Sequence, residues 1–163
     1  MGSTTVAGFA SGIIIALAIM VGMSAAVTTT HAVISSIVVV AFVEGFSDSF
    51  SEYLSQRTDK SRTIKEVWKA TAILFGTKFV IIIQFIWPFL LFPLDRISEA
   101  TQFAVFWGLL ILSVLSGYIA KQQENKTVIR TMALYIVASI IIVTITYYAG
   151  DLVGFIFSLL GIA

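Results

Sequence analysis

Polar and charged positions along this chain fall in short clusters, and the stretches between them are long and almost continuously apolar. The first apolar run covers about 5–27 and is broken only by small residues such as Gly and Ser. After Thr28-Thr29-Thr30-His31 a second run extends over about 32–54 and carries Glu44, Asp48 and Glu52. The most charged stretch, SQRTDKSRTIKE at 55–66, leads into a third run over about 67–94 that contains Lys69, Lys78, Pro88 and Pro93. A brief DRISEA segment precedes a fourth run over about 101–120, and KQQENKTVIR at 121–130 precedes a fifth over about 131–160. About 20 apolar residues span a bilayer as a helix, so each run predicts one transmembrane helix. The fifth exceeds one span, and Gly150-Asp151 is the expected place where it leaves the hydrocarbon.

Composition agrees with that pattern. Of the 163 residues 58% are hydrophobic and 12% charged, against about 45–50% and about 25% for a soluble domain. The fold class expected is an all-α integral membrane protein, a single transmembrane domain over residues 1–163. A membrane β-barrel would instead show alternating segments of about ten residues. The first run lacks the basic flank and cleavage site of a signal peptide and is expected to be retained. Net charge is +1, so no basic surface is available for nucleic-acid phosphates. There is no cysteine, which removes disulfides, thiolate metal sites and thiol catalysis, and the single histidine builds no His-rich metal site. No GxSxG, HExxH or phosphate-cradling loop occurs, and the chain is not expected to be an enzyme.

The basic residues predict orientation. Arg57, Lys60, Arg62, Lys65 and Lys69 surround the second connection, and Lys121, Lys126 and Arg130 the fourth, whereas Arg96 stands alone on the opposite side. The positive-inside rule puts the two basic connections in the cytosol. The N-terminus is then cytosolic and the C-terminus external or luminal.

Candidate chemistry is concentrated in EGFSDSFSE, 44–52. Glu44, Asp48 and Glu52 recur every fourth residue and share one helix face. At a rise of about 1.5 Å per residue they form a ladder about 12 Å long, with Ser47, Ser51 and Ser55 on the adjacent row. An ionisable side chain at the centre of a membrane helix costs about 2.5–3.5 kcal/mol, so three acids should face the bundle interior, a water-filled path or a partner. A cation or protons would neutralise them, and carboxylate oxygens suit Mg, Ca and Mn and tolerate ferrous iron. The other reading is structural: the acids pair with Lys78 or Lys69 and hold helices together, Lys78 lying at a depth in the third run that meets Asp48 or Glu44 if those helices touch.

The remaining polar residues are weaker candidates. Gln84 either bonds across the bundle or lines a path, His31 and Asp151 belong at the outer surface, and Met20 and Met23 fill the core. Pro88 and Pro93 should kink or end the third helix. Gly8 and Gly12 form a GxxxG pair that serves either intrachain packing or a dimer contact.

The segment GFSDSFSEYLSQRTDK resembles the second-helix motif A-x-S-M-x-x-G-E-Y-L-S of the vacuolar iron transporter family, with Glu52-Tyr53-Leu54-Ser55 matching its end. ASGIIIALAIMVGMSAA resembles that family's first helix and WPFLLFP its proline-terminated third helix. GYIAKQQENKTVIRTMALYIVASIIIVTITYYAGDLV resembles its last hairpin. The resemblance implies five helices, a homodimer and proton-coupled export of ferrous iron or manganese from the cytosol, with the path along the first two helices at the dimer axis. The family's first-helix acid falls on Ser11 and its second-helix methionine on Asp48, an exchange that favours harder cations. Of the family's Glu-rich cytosolic segment only Glu66 corresponds.

The expected function is therefore transport of divalent cations such as Mn2+ or Fe2+, coupled to protons, in a multi-pass protein of the cell membrane or a vacuole-like membrane. Glu44, Asp48 and Glu52 would be ligands and proton carriers, with Ser11, Ser47, Ser51, Lys78 and Gln84 as accessories. The metal is cargo, and no permanently bound cofactor is expected. The alternative is a non-transporting membrane component whose acids pair with Lys78 or a partner subunit.

Overall fold

The computed structural model describes residues 3–26, 29–58, 62–122 and 128–161. Lys60 and Lys126, two of the basic residues that predict orientation, lie outside the described residues. Among the described residues the chain is all-helical: α1 (Ser3–Ala25), α2 (Thr30–Thr58), α3 (Ile64–Ile83), a 3₁₀ turn (Gln84–Ile86), α4 (Trp87–Leu91), α5 (Ile97–Gln122) and α6 (Val128–Leu159). Among these residues five segments are long and apolar enough to cross a bilayer: Gly8–Ala25, Thr30–Thr58, Ile64–Leu91, Ile97–Tyr118 and Met132–Leu159. This is the architecture of a multi-pass membrane protein.

The helices outrun the apolar runs at several ends. α2 continues through Gln56 and Arg57 to Thr58, and α5 begins at Ile97 rather than near 101. Hydropathy marks where hydrocarbon stops, whereas Glu, Gln and Arg remain good helix formers beyond that edge. α3 starts on a capping box. The Thr63 hydroxyl accepts from the Glu66 amide at 3.4 Å, and the Glu66 carboxylate accepts from the Thr63 amide at 2.9 Å. The carboxylate of Glu66 is thereby occupied in fixing a helix start.

Each proline leaves its mark on the third span. Pro88 has no N–H to give the carbonyl four residues back, and the helix tightens into the 3₁₀ turn over Gln84–Ile86 before resuming as α4. Pro93 disfavours helical geometry at the preceding residue, and Phe92 is extended, with φ −95° and ψ 149°, so α4 stops at Leu91. The hydroxyl of Thr30 donates to the Leu94 carbonyl at 2.8 Å, tying the start of α2 to the end of this span.

α1 is the central helix, packed against α2, α3, α5 and α6. It carries no charged residue, and Ala10, Ile13, Ala16, Leu17 and Met20 are buried along one of its faces. Together with Ile37, Ile82, Phe85, Phe89 and Leu112 they form the core. Met20 is part of that packing, as its residue type suggests. α6 is equally apolar but largely exposed, as a lipid-facing helix would be. It passes unbroken through Gly150-Asp151, and Gly150 is where α6 crosses α1: a Cβ there would collide with the Gly22 carbonyl. His31 is exposed in the first turn of α2, and Asp151 is exposed on α6.

Candidate functional site: an intramembrane Lys–carboxylate triad beside an oxygen-lined groove

α2 and α3 make the most extensive helix pair in the bundle, and their seam holds the charges. Lys78 of α3 is 1% exposed and stands with Phe85 and Phe89 among the largest fully buried side chains. Its ammonium donates to Glu44 Oε2 at 2.8 Å and to Asp48 Oδ2. Two rungs of the ladder thus share one cation, because residues four apart on α2 point to the same side and a single Nζ reaches both. Lys69, the other lysine weighed for this pairing, is exposed. Two carboxylates and one ammonium leave the triad one negative charge in excess when all three are ionised.

Gly12 makes room for this lysine. A Cβ at that position would lie 3.2 Å from Ile81 Cγ2 and 3.5 Å from Lys78 Cγ, so the aliphatic stem of Lys78 runs along the bare backbone of α1. Gly8, one turn away, faces Leu74 of α3 in the same manner, at 3.3 Å. The GxxxG pair of α1 is used within the chain, on α3.

The third acid stands apart. Glu52 accepts a hydrogen bond from Gln56 Nε2. Among the described residues no group of three His, Asp or Glu side chains converges closely enough to hold a metal ion. Glu44, Asp48 and Glu52 are a row rather than a cage.

Beside the triad lies a groove of about 450 Å³, lined by Gly8 and Ser11 of α1, Asp48, Ser51, Glu52 and Ser55 of α2, and Leu74 of α3. Two carboxylates and three hydroxyls give it an oxygen-rich wall suited to hard cations, protons or water. Asp48 belongs to both features: it lines the groove and holds Lys78, and its side chain is 40% exposed. Ser11, with its hydroxyl on the Gly8 carbonyl at 3.1 Å, is in the groove as expected. Ser51 is there too. Ser47 is exposed and is not part of the lining, and Gln84 is at the far end of α3, its Nε2 buried without a partner.

Compared with family models, curated proteins and solved structures, the chain gives no match.

Proposed function

We propose that the protein transports a cation across the membrane by exchange against its own lysine. The observation that carries this reading is the double membership of Asp48, which binds the Lys78 ammonium and also lines the oxygen-rich groove. An ammonium between two carboxylates occupies the position a cation or proton would take. A cation arriving through Glu52 and the serines would compete for Asp48, while Glu44 retains Lys78. Such competition moves charge in and out of a low-dielectric site without leaving an acid uncompensated. Divalent metals of the Mn2+ or Fe2+ type, moved out of the cytosol against protons, are the cargo that the resemblance to vacuolar iron transporters supports. The partly exposed Asp48 also favours a homodimer, since a second copy or water would keep acyl chains from this carboxylate.

The second reading is a structural network. It is favoured by the near-complete burial of Lys78, which makes the triad a lock between α2 and α3. The two readings part in proteoliposomes loaded for Mn2+ or Fe2+ flux, with and without a pH gradient, beside Asp48→Asn. The expected result is gradient-dependent flux that disappears in the variant while its folding and size in detergent stay unchanged. Equal flux in the variant, or none of either ion with the unmodified chain, overturns transport by this route and leaves the structural lock.

A further inference from the structure

On the face of α2 opposite the carboxylates, a second groove of about 450 Å³ runs between α2 and α3. Its walls are Phe46, Ser49, Phe50 and Tyr53 of α2, with Trp68 and Phe75 of α3 opposite them. The walls are almost wholly apolar. Phe46 and Phe75 meet at 4.7 Å between ring centroids, and Tyr53 and Trp68 at 5.3 Å. The groove lies within two candidate membrane spans, so acyl chains are what it meets.

Helical register carries the walls outward to charge. On α2 the row 46, 50, 53 continues to Arg57, four residues beyond Tyr53, in the last turn of the helix. On α3 the row 75, 68 continues to Lys65, three residues before Trp68, in the first turns of that helix. Arg57 and Lys65 are both exposed. An acyl-sized slot is thus followed by an aromatic pair of the kind that sits at headgroup level, and then by one basic residue from each wall. One turn below Tyr53, Ser49 is 4% exposed, and its hydroxyl has no hydrogen-bond partner. Ser49 stands eight residues before Arg57, about 12 Å along the axis, and an Arg57 side chain that leans back toward the helix N-terminus brings a bound phosphate nearer to it.

We infer that this groove binds one anionic phospholipid of the adjoining leaflet, its phosphate between Arg57 and Lys65 and an acyl chain along Phe46, Phe50 and Phe75. Charge complementarity selects the headgroup, since a basic rim at a membrane surface attracts anionic lipid. The slot selects a lipid over a soluble phosphate. Such a site requires a membrane around the chain and is independent of cation transport.

The test is thermal unfolding of the full chain in detergent micelles, with added dioleoyl phosphatidylglycerol, dioleoyl phosphatidylcholine or soluble glycerol phosphate. A ligand bound only by the folded state raises the melting temperature with its concentration. Phosphatidylglycerol should raise it above the phosphatidylcholine value, and glycerol phosphate should leave it unchanged. The difference between the two lipids should be at least halved in Arg57→Gln/Lys65→Gln and kept in Arg96→Gln, a basic residue at the other end of the span. Equal shifts with both lipids, an undiminished difference in the double variant, or the same shift with glycerol phosphate would overturn the inference. The comparison is made within each variant, so an altered starting stability does not obscure it.

Discussion

The two faces of α2 solve opposite problems with the same spacing. Glu44, Asp48 and Glu52 recur every four residues on one face, and Phe42, Phe46 and Phe50 recur every four residues on the other. The acidic row is placed where α1 and α3 can supply a serine hydroxyl and an ammonium. The aromatic row faces outward, where the rings of Phe75 and Phe79 meet it. The contrast lies in what each side chain requires of its surroundings. A carboxylate in hydrocarbon is costly until it is paired or hydrated, so its neighbours must be specified. A phenyl ring in hydrocarbon carries no such penalty, and Phe46 and Phe50 are each left 63% exposed. Substitutions on the acidic face should therefore cost far more than those on the aromatic one.

The largest effect is expected from Lys78→Met. It keeps the length of the stem and removes the cation from Glu44 and Asp48 together. Breaking a buried ion pair from one side costs about 3–5 kcal/mol. Because Asp48 is partly exposed, a loss of about 3 kcal/mol is expected in denaturant titration in micelles. Adding Glu44→Gln and Asp48→Asn to the same chain should recover most of it, since no unpaired charge then remains. A stable Lys78→Met protein would show that the triad does not hold α2 to α3. Gly12→Val probes the same site through shape alone. The added methyls must push Ile81 and the Lys78 stem aside, and overpacking of this kind costs about 1–3 kcal/mol. A loss of about 2 kcal/mol is expected, with Gly8→Ala smaller because the atom it meets is the mobile tip of Leu74.

How much of this can be read from the chain depends on which interactions are local. The five spans are legible because twenty or so apolar residues in a row have few alternatives, and the acidic row is legible because its spacing lies within one helix. What joins helices is not. The depth of Lys78 in the third run already points to Asp48 or Glu44, but that its one ammonium serves both acids is set by the packing of α2 on α3. Gly12 belongs to a recognisable GxxxG, yet its use as a channel for a lysine stem depends on a residue two helices later. Gly150 stands out in the sequence beside Asp151, but that its lack of a side chain serves a crossing with Gly22 on the most distant helix in sequence is visible only in the packing. The capping box at Thr63 and Glu66 is the reverse case: its two residues stand three apart in the sequence, but Glu66 also corresponds to a metal-binding segment in the resemblance. The aromatic groove is not legible because its walls belong to two helices, and only the packing of α2 on α3 sets Phe46 against Phe75 and Tyr53 against Trp68.

On the aromatic face the expected effects shrink. Phe46→Ala loses the ring contact with Phe75 and a longer stacked one with Phe42, while most of the ring is already exposed. An aromatic pair is worth about 0.5–1.5 kcal/mol beyond its area, and about 1 kcal/mol of destabilisation is expected in the same titration. A cost like that of Lys78→Met would mean that the row is buried against a partner rather than facing lipid.

The smallest effect, and the most diagnostic, should come from Ser49→Ala. The hydroxyl of Ser49 is buried with no partner, and an unsatisfied buried polar group costs about 1–3 kcal/mol. In micelles without anionic lipid, its removal should leave stability unchanged or raise it by up to about 1 kcal/mol, because alanine is also the better helix former. Ser11→Ala in the other groove removes a hydroxyl that is bonded to the Gly8 carbonyl and open to a hydrophilic space, so it brings no such gain. With phosphatidylglycerol present, the advantage of Ser49→Ala should vanish, since a lipid ester gives the serine the partner it lacks. If the alanine variant is more stable by the same margin with and without the lipid, Ser49 takes no part in binding it, and the selectivity of the groove rests on Arg57 and Lys65 alone.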